Sequence, residues 1–385
     1  MLNGMSKIIY FGVAFLPNEN AVAIRALSIA EMVKNISCEP VLIGMNNKVE
    51  ENNFVKSEYE GVTIYEIHYP QTFSEKVRDG FNFFSVIKRI IEDIGILDIK
   101  AFLMQDYQYQ SMKRIKKYCE TNKIDFIPDI MDYFTFTIDK SLYKNIFKSI
   151  DTFLRMHFFY PGFKKKICIS HTFKKFFKEK GVTVIPPVAD KISLLSDQKY
   201  RKSENITLIF AGTPGKHFEK EKLDWVIRAL SENNSKMELI ILGVEEKMVF
   251  KNNPKLKKYM SKNIHFLGRV SHEKCMNMFL YGDFSLIIRK KNKLTNYGLS
   301  SKISEAFSFG IPVLATDVSD NQIYVKDGLN GFVCESNYEH VREMIRKVEL
   351  LSTDKIKQMK EYTLSNNPLL IKNYVDDFSR LFKEE

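Results

Sequence analysis

Lys302 and Glu305 stand three residues apart in the stretch Asn296-Tyr-Gly298-Leu-Ser-Ser-Lys302-Ile-Ser-Glu305-Ala-Phe-Ser-Phe-Gly310-Ile-Pro312-Val-Leu-Ala315. The stretch reads as a loop, a short helix ended by Gly310, and a buried strand opened by Pro312. At that spacing the cation and the carboxylate share one helix face near its start. On a solvated surface the pair would contribute only about 0.2–1 kcal/mol. Its neighbours are small or apolar, however, which suits a helix packed into a cleft. Glu305 is not a capping-box residue either, because Lys302 rather than Ser or Thr stands three positions before it.

Two further loops follow apolar runs. Phe210-Ala-Gly212-Thr213-Pro-Gly215-Lys216 combines two glycines, a hydroxyl and a lysine, a set able to cradle a diphosphate. It is not a Walker A loop, since Phe210 replaces the first glycine and His217 the Ser/Thr that would hold magnesium. Gly12-Val-Ala-Phe-Leu-Pro-Asn18 precedes a helix carrying Arg25, and its glycine permits close approach of backbone to a ligand. Arg289 follows the run Phe284–Ile288, and Asp129 and Asp132 lie in Pro128-Asp-Ile-Met-Asp-Tyr133. Either aspartate could face a ligand or cap a helix. Gly298-Leu-Ser300-Ser-Lys302 is not a hydrolase elbow, because lysine takes the final glycine's place. No DxD triplet occurs, the seven histidines form no HxxxH pair, and the five cysteines form no CxxC. No metal site is therefore expected.

The elements that must position these residues alternate. Strands are expected at Lys7–Gly12, Pro40–Gly44, Thr63–Ile67, Ala101–Met104, Ile124–Pro128 and Ile167–Ser170, with helical segments such as Ala21–Ile36 between them. The rhythm breaks at Pro186-Pro187, and Asp190 to Asn205 is polar and aperiodic, as a linker is. A second series follows: Ile206–Ala211, Glu238–Leu242, Ile264–Leu267, Phe284–Ile288 and Pro312–Ala315, with a helix around Leu223–Leu230. Such alternation predicts α/β architecture, with two Rossmann-like doubly wound domains whose ligands bind at the carboxyl ends of parallel strands. We expect domains at 1–189 and 190–365, and an amphipathic terminal helix over 366–385 that packs back on the first domain.

The second half resembles the family 4 glycosyltransferases of GT-B fold, also called glycosyl transferases group 1. The likeness rests on Glu305 with its Gly-Ile-Pro-Val strand, Gly212 with Lys216, Asn263-Ile-His-Phe-Leu-Gly268, Asp327-Gly-Leu-Asn-Gly331 and, at the linker entry, Ile185-Pro-Pro-Val-Ala-Asp190. It covers about 190–335 well and the first half loosely. The resemblance implies two domains facing a cleft, the first binding acceptor and the second a nucleotide-sugar donor. It implies a hexosyl or related transfer with retention of configuration and without a metal cofactor, in assembly of bacterial surface polysaccharide. Glu305 would accept the ribose hydroxyls, and Lys302 and Lys216, with Lys220 and Lys222 as alternatives, would balance the departing diphosphate. Gly12, Gly212, Thr213 and Arg289 would line the phosphates, and Asp132 would face the reacting sugar. Many members have a second glutamate eight positions before the first. Here that position is Tyr297, so sugar recognition would differ or fall to backbone around Gly298 and Leu299, with Tyr297 and Ser300 also lining the donor. That departure keeps open a non-catalytic sugar-nucleotide- or glycan-binding protein, and a GT-B nucleotide-sugar epimerase is a second alternative.

The chain has 385 residues, 44% hydrophobic and 27% charged, enough for two sizeable cores, and a formal charge of +11. Nucleic acid is not expected, because no recognised nucleic-acid motif accompanies the charge. Much of it falls in 140–166, where Lys140, Lys144, Lys148, Arg155, Lys164, Lys165 and Lys166 face only Asp151 and alternate with large apolar residues. That pattern suits an anionic membrane surface. With no apolar window of membrane-span length, the expected location is the cytoplasm, peripheral at the inner face of the plasma membrane. The expected partners are a nucleotide-sugar and a glycan or lipid-linked acceptor.

Overall fold

A computed structural model of the chain describes residues 5–17, 20–133, 142–190, 205–215, 218 and 220–383. It divides into two units, Met1–Pro186 with Ile371–Glu385, and Pro187–Leu370. The expected linker falls almost wholly on 191–204, outside the described residues.

The first unit holds β1 (Lys7–Phe11), β2 (Glu39–Asn46), β3 (Phe54–Tyr59), β4 (Val62–His68), β5 (Ile99–Gln105), β6 (Asp125–Ile130), β7 (Lys166–Cys168) and β8 (Val182–Val184). They form one sheet in the order β3-β4-β2-β1-β5-β6-β7-β8. All pairs are parallel except β3 with β4. β1 is apolar after Lys7 because helices cover both faces of a central parallel strand. Edge strand β3, Phe-Val-Lys-Ser-Glu-Tyr, is mostly exposed, so it carries no buried apolar run that would announce it. The order reverses beside β1, which places the crevice for a ligand at its carboxyl end, where Gly12 follows.

Segment 366–385 differs from the single helix expected. Ile371–Asn373 is a 3₁₀ turn and Val375–Arg380 a short helix. The Ile371 carbonyl accepts from the Tyr374 N–H at 3.0 Å, an i+3 bond that ends the first piece. The Tyr374 carbonyl then accepts from the Phe378 N–H at 2.9 Å and starts the second. Phe378 is fully buried in this first unit, and Lys100 Nζ stands 5.7 Å from the Phe382 ring.

Two cations of the basic stretch are also corrected. Arg155 is buried, donating to Asp106 and Asp151 at 2.8 Å each. Lys166 is buried too, donating from Nζ to the Phe163 and Lys180 carbonyls at 2.7 Å each, and burial pushes its ammonium below the usual range. Neither contributes to an outward charge. Lys140 lies outside the described residues, as does the Lys144 side chain.

The second unit holds β9 (Thr207–Ala211), β10 (Glu238–Leu242), β11 (Ile264–Gly268), β12 (Phe284–Ile287), β13 (Val313–Thr316) and β14 (Gly331–Cys334). The sheet is entirely parallel, ordered β11-β10-β9-β12-β13-β14. Leu208, Phe210, Leu239, Ile241, Phe284 and Leu286 pack with helices Leu223–Glu232 and Tyr338–Glu349 into one core. The order reverses between β9 and β12, so the loops after those two strands flank the ligand crevice.

Candidate donor site

The loop after β9 runs through Gly212 and Gly215, at φ 149° and 80°, conformations that favour glycine. A third glycine fixes it from behind. Gly243 has φ 97°, and a Cβ there would lie 2.6 Å from the Gly212 carbonyl oxygen. Thr213 is exposed on this loop, and Lys216 lies outside the described residues. Past it, the Lys222 N–H donates to the Ile288 carbonyl at 2.7 Å, tying the loop to the end of β12.

Arg289 stands at that junction. Its backbone N–H donates to Thr316 Oγ1 at 2.9 Å, and its carbonyl accepts from Thr316 and Ser336 hydroxyls at 2.8 Å each. Its guanidinium is bound to Glu221 Oε1, from Nε at 2.8 Å and Nη2 at 2.7 Å. The sequence reading missed Glu221. It lies sixty-eight residues from Arg289 with no local pattern linking them, so only the strand order reveals the pair. Lys222 pairs with Asp224 at 3.1 Å, and burial pushes that carboxyl up.

Beyond β12, Asn292 and Thr295 cap the short helix Lys293–Tyr297 reciprocally. Tyr297 is its last residue and half-buried, while Gly298, Leu299 and Ser300 are buried. Helix Ser301–Ser308 follows, and its N-cap Ser300 makes no side-chain capping bond. The Ile303 N–H turns back to the Ser300 carbonyl at 3.3 Å, and the positive end of the helix dipole lies here, where an anion is favoured.

Glu305 sits on the inner side of this helix, 4% exposed. Its Oε2 accepts from Lys302 Nζ at 2.6 Å, whereas Oε1 is buried and finds no donor among the described residues. Glu221 Oε2 and Asp224 Oδ1 are likewise buried without a donor. Three carboxylate oxygens lacking hydrogen-bond donors, on elements at the carboxyl end of one sheet, suit a ligand rich in hydroxyls. Cys275, on helix His272–Phe279, feels the charges of Lys302 and Glu305, but burial pushes its thiol up, so it stays protonated.

In the first unit the space beside Gly12 is filled: a Cβ there would meet Gln105 Oε1 at 2.9 Å and Val22 Cγ1 at 3.0 Å. A side chain at this position would have to displace the ends of these two side chains. Asp129 is fully buried, accepting from Arg25 Nε and Nη2 at 2.7 Å each and from the Tyr10 hydroxyl at 2.9 Å. It is committed to the interior. Asp132 is half-buried, and its N–H donates to Asp106 Oδ2 at 3.1 Å.

Residues 195–365 match the family model of glycosyl transferases group 1. That part of the chain is similar to this family. Solved structures agree on the fold over nearly the whole chain. Sucrose-phosphate synthase from Thermosynechococcus elongatus superimposes with a TM-score of 0.73 at 9% identity, covering 98% of each chain. HepE of Anabaena, in complex with UDP and glucose, gives 0.62 at 12% identity, over 98% of this chain and 99% of that one. The lipopolysaccharide outer core galactosyltransferase WaaB gives 0.58 at 14% identity, over 97% and 98%. No curated protein matches the sequence. The architecture is GT-B, two doubly wound domains in tandem, and the buried Glu305 lies within the matched segment.

Proposed function

We propose that the protein is a glycosyltransferase that moves a sugar from a nucleotide-sugar donor to a glycan or lipid-linked acceptor. The observation that carries the reading is Glu305, whose Oε2 is held by Lys302 while its buried Oε1 finds no donor among the described residues. A ribose offers the hydroxyl donors this oxygen lacks. The diphosphate would lie toward the glycine loop after β9 and the start of helix Ser301–Ser308, where N–H groups, the helix dipole, Lys302 and Lys216 balance charge that grows as the glycosidic bond breaks.

The family resemblance favours retention of configuration, through front-face attack assisted by the leaving phosphate. Uridine is the first base to test, because UDP occupies HepE. The likeness to a lipopolysaccharide outer core galactosyltransferase supports a role in surface polysaccharide assembly. The test is titration with UDP, GDP and ADP, followed by a transfer assay with the sugar form of the tightest binder. Binding with acceptor-dependent nucleotide release is expected. No binding of any nucleotide would refute the donor site. Binding with turnover that needs no acceptor would make the protein an epimerase.

A further inference from the structure

Helix Leu142–Leu154 and the π turn Arg155–Phe159 that continues it are built inside out. Thr152, Arg155, Met156 and Phe159 face inward and are buried. The opposite side carries Ile146, Ile150, Phe153 and Phe158, exposed by 39%, 52%, 53% and 66%. Ile146, Ile150 and Phe153 recur at four and three residues, the spacing of one helix face, and the exposed His157 extends the line with its ring 4.7 Å from that of Phe153. A soluble helix buries such a stripe; here the stripe faces outward.

Lysines flank the stripe. Lys148 is exposed on the helix itself, and Lys164 is exposed just past it. The Phe176 ring lies 5.8 Å from that of His157, bringing in helix His171–Phe176 with Lys174 and Lys175. The helix's only carboxylate, Asp151, is occupied inward, accepting from Arg155 Nε at 2.8 Å and the Tyr109 N–H at 2.7 Å. Exposed phenylalanines and isoleucines flanked by lysines match the boundary of an anionic bilayer, where rings enter among the acyl chains and ammonium groups meet phosphates.

We propose that this outward face of residues 146–158 docks the protein onto an anionic phospholipid surface. Among the described residues no helix is long and apolar enough to cross a membrane, so the attachment is interfacial and reversible. The inference deepens the lipid-linked part of the proposed function and rests on it for purpose, while its evidence is separate from the donor site.

The test uses the full chain and sedimentation with vesicles of phosphatidylcholine alone or with phosphatidylglycerol added. Binding to the mixed vesicles, weakened at least tenfold in their absence or in high salt, is expected. The double variant Phe153→Ser, Phe158→Ser should lower binding by roughly tenfold or more, since it withdraws two rings from the interface. Both residues are exposed, so its melting temperature should stay at the wild-type value. Equal binding to both vesicle types, no binding, or binding unchanged in the double variant would overturn the proposal. So would a wild-type dimer in solution that the double variant abolishes, because the face would then pair with a second copy. Glu305→Gln should bind vesicles as wild type does, so failure of the donor reading and failure of the membrane reading are read separately.

Discussion

Replacing Glu305 by glutamine separates a ligand-binding role from a structural one, because the two predict opposite patterns. Suppose the Lys302–Glu305 pair at 2.6 Å serves only stability. Removing one partner of a buried ion pair then costs about 3–5 kcal/mol. The geometry argues for less. The Lys302 side chain is 30% exposed and can turn to water, and the carboxylate already carries one buried oxygen without a donor. A neutral amide relieves that oxygen of its charge, so the free protein should keep its stability within about 1 kcal/mol. Nucleotide binding should suffer instead. A hydrogen bond to a charged acceptor contributes about 1.5–3 kcal/mol and a neutral one about 0.5–1.5. Glu305→Gln should therefore weaken nucleotide diphosphate about five- to tenfold, and Glu305→Ala, which loses the bond outright, about ten- to a hundredfold. Calorimetric titration and thermal melting on the same samples measure both quantities. A melting temperature several degrees lower with an unchanged Kd would refute the reasoning and leave Glu305 a structural residue.

Three other outcomes follow from the geometry. Asp129→Ala leaves the buried Arg25 guanidinium without its carboxylate, so urea unfolding of the first unit should lose about 3–5 kcal/mol while nucleotide affinity measured well below the transition is unchanged; full stability with lost transfer would mean Asp129 acts on substrate. Burial pushes the Asp79 carboxyl up to about 6, although the Tyr107 hydroxyl donates to it. The folded chain thus holds this proton more tightly than the unfolded one, and the stabilisation, complete below about pH 4, is lost as pH rises through 6. Melting curves of wild type and Asp79→Asn should diverge over that window, with the variant the more stable at pH 7.5; parallel curves would refute the shift. Gly243→Ala drives a Cβ to within 2.6 Å of the Gly212 carbonyl at a φ of 97°, so it should cost about 1–3 kcal/mol in stability and weaken nucleotide binding, both measurable by melting and titration; a variant equal to wild type in both would detach that loop from the donor site.

The sheets were legible in the sequence because central parallel strands are unbroken apolar runs. Lys7–Phe11, Glu238–Leu242 and Phe284–Ile287 lie within a residue or two of where the pattern puts them. Strand Phe54–Tyr59 was not legible, since an exposed edge strand has no buried face to impose a period. In the site, Glu305 and Lys302 were legible as neighbours on a helix, a local relation. Glu221 with Arg289 was not, because strand order alone brings them together. The basic stretch misled for the same kind of reason. Residue type marks Arg155 and Lys166 as surface charge, but a carboxylate from another strand end and two carbonyl oxygens hold them inside.

The return of residues Ile371–Glu385 to the first unit has a consequence for synthesis. The second unit, Pro187–Leu370, is continuous in sequence and can complete its sheet as soon as it clears the ribosome. The first unit begins earlier yet finishes later, because Phe378, fully buried in it, is translated only after the whole of the second unit. During that interval an apolar socket stands open on the nascent chain. The domain made first is therefore the last to close, and chaperone demand should concentrate on that domain.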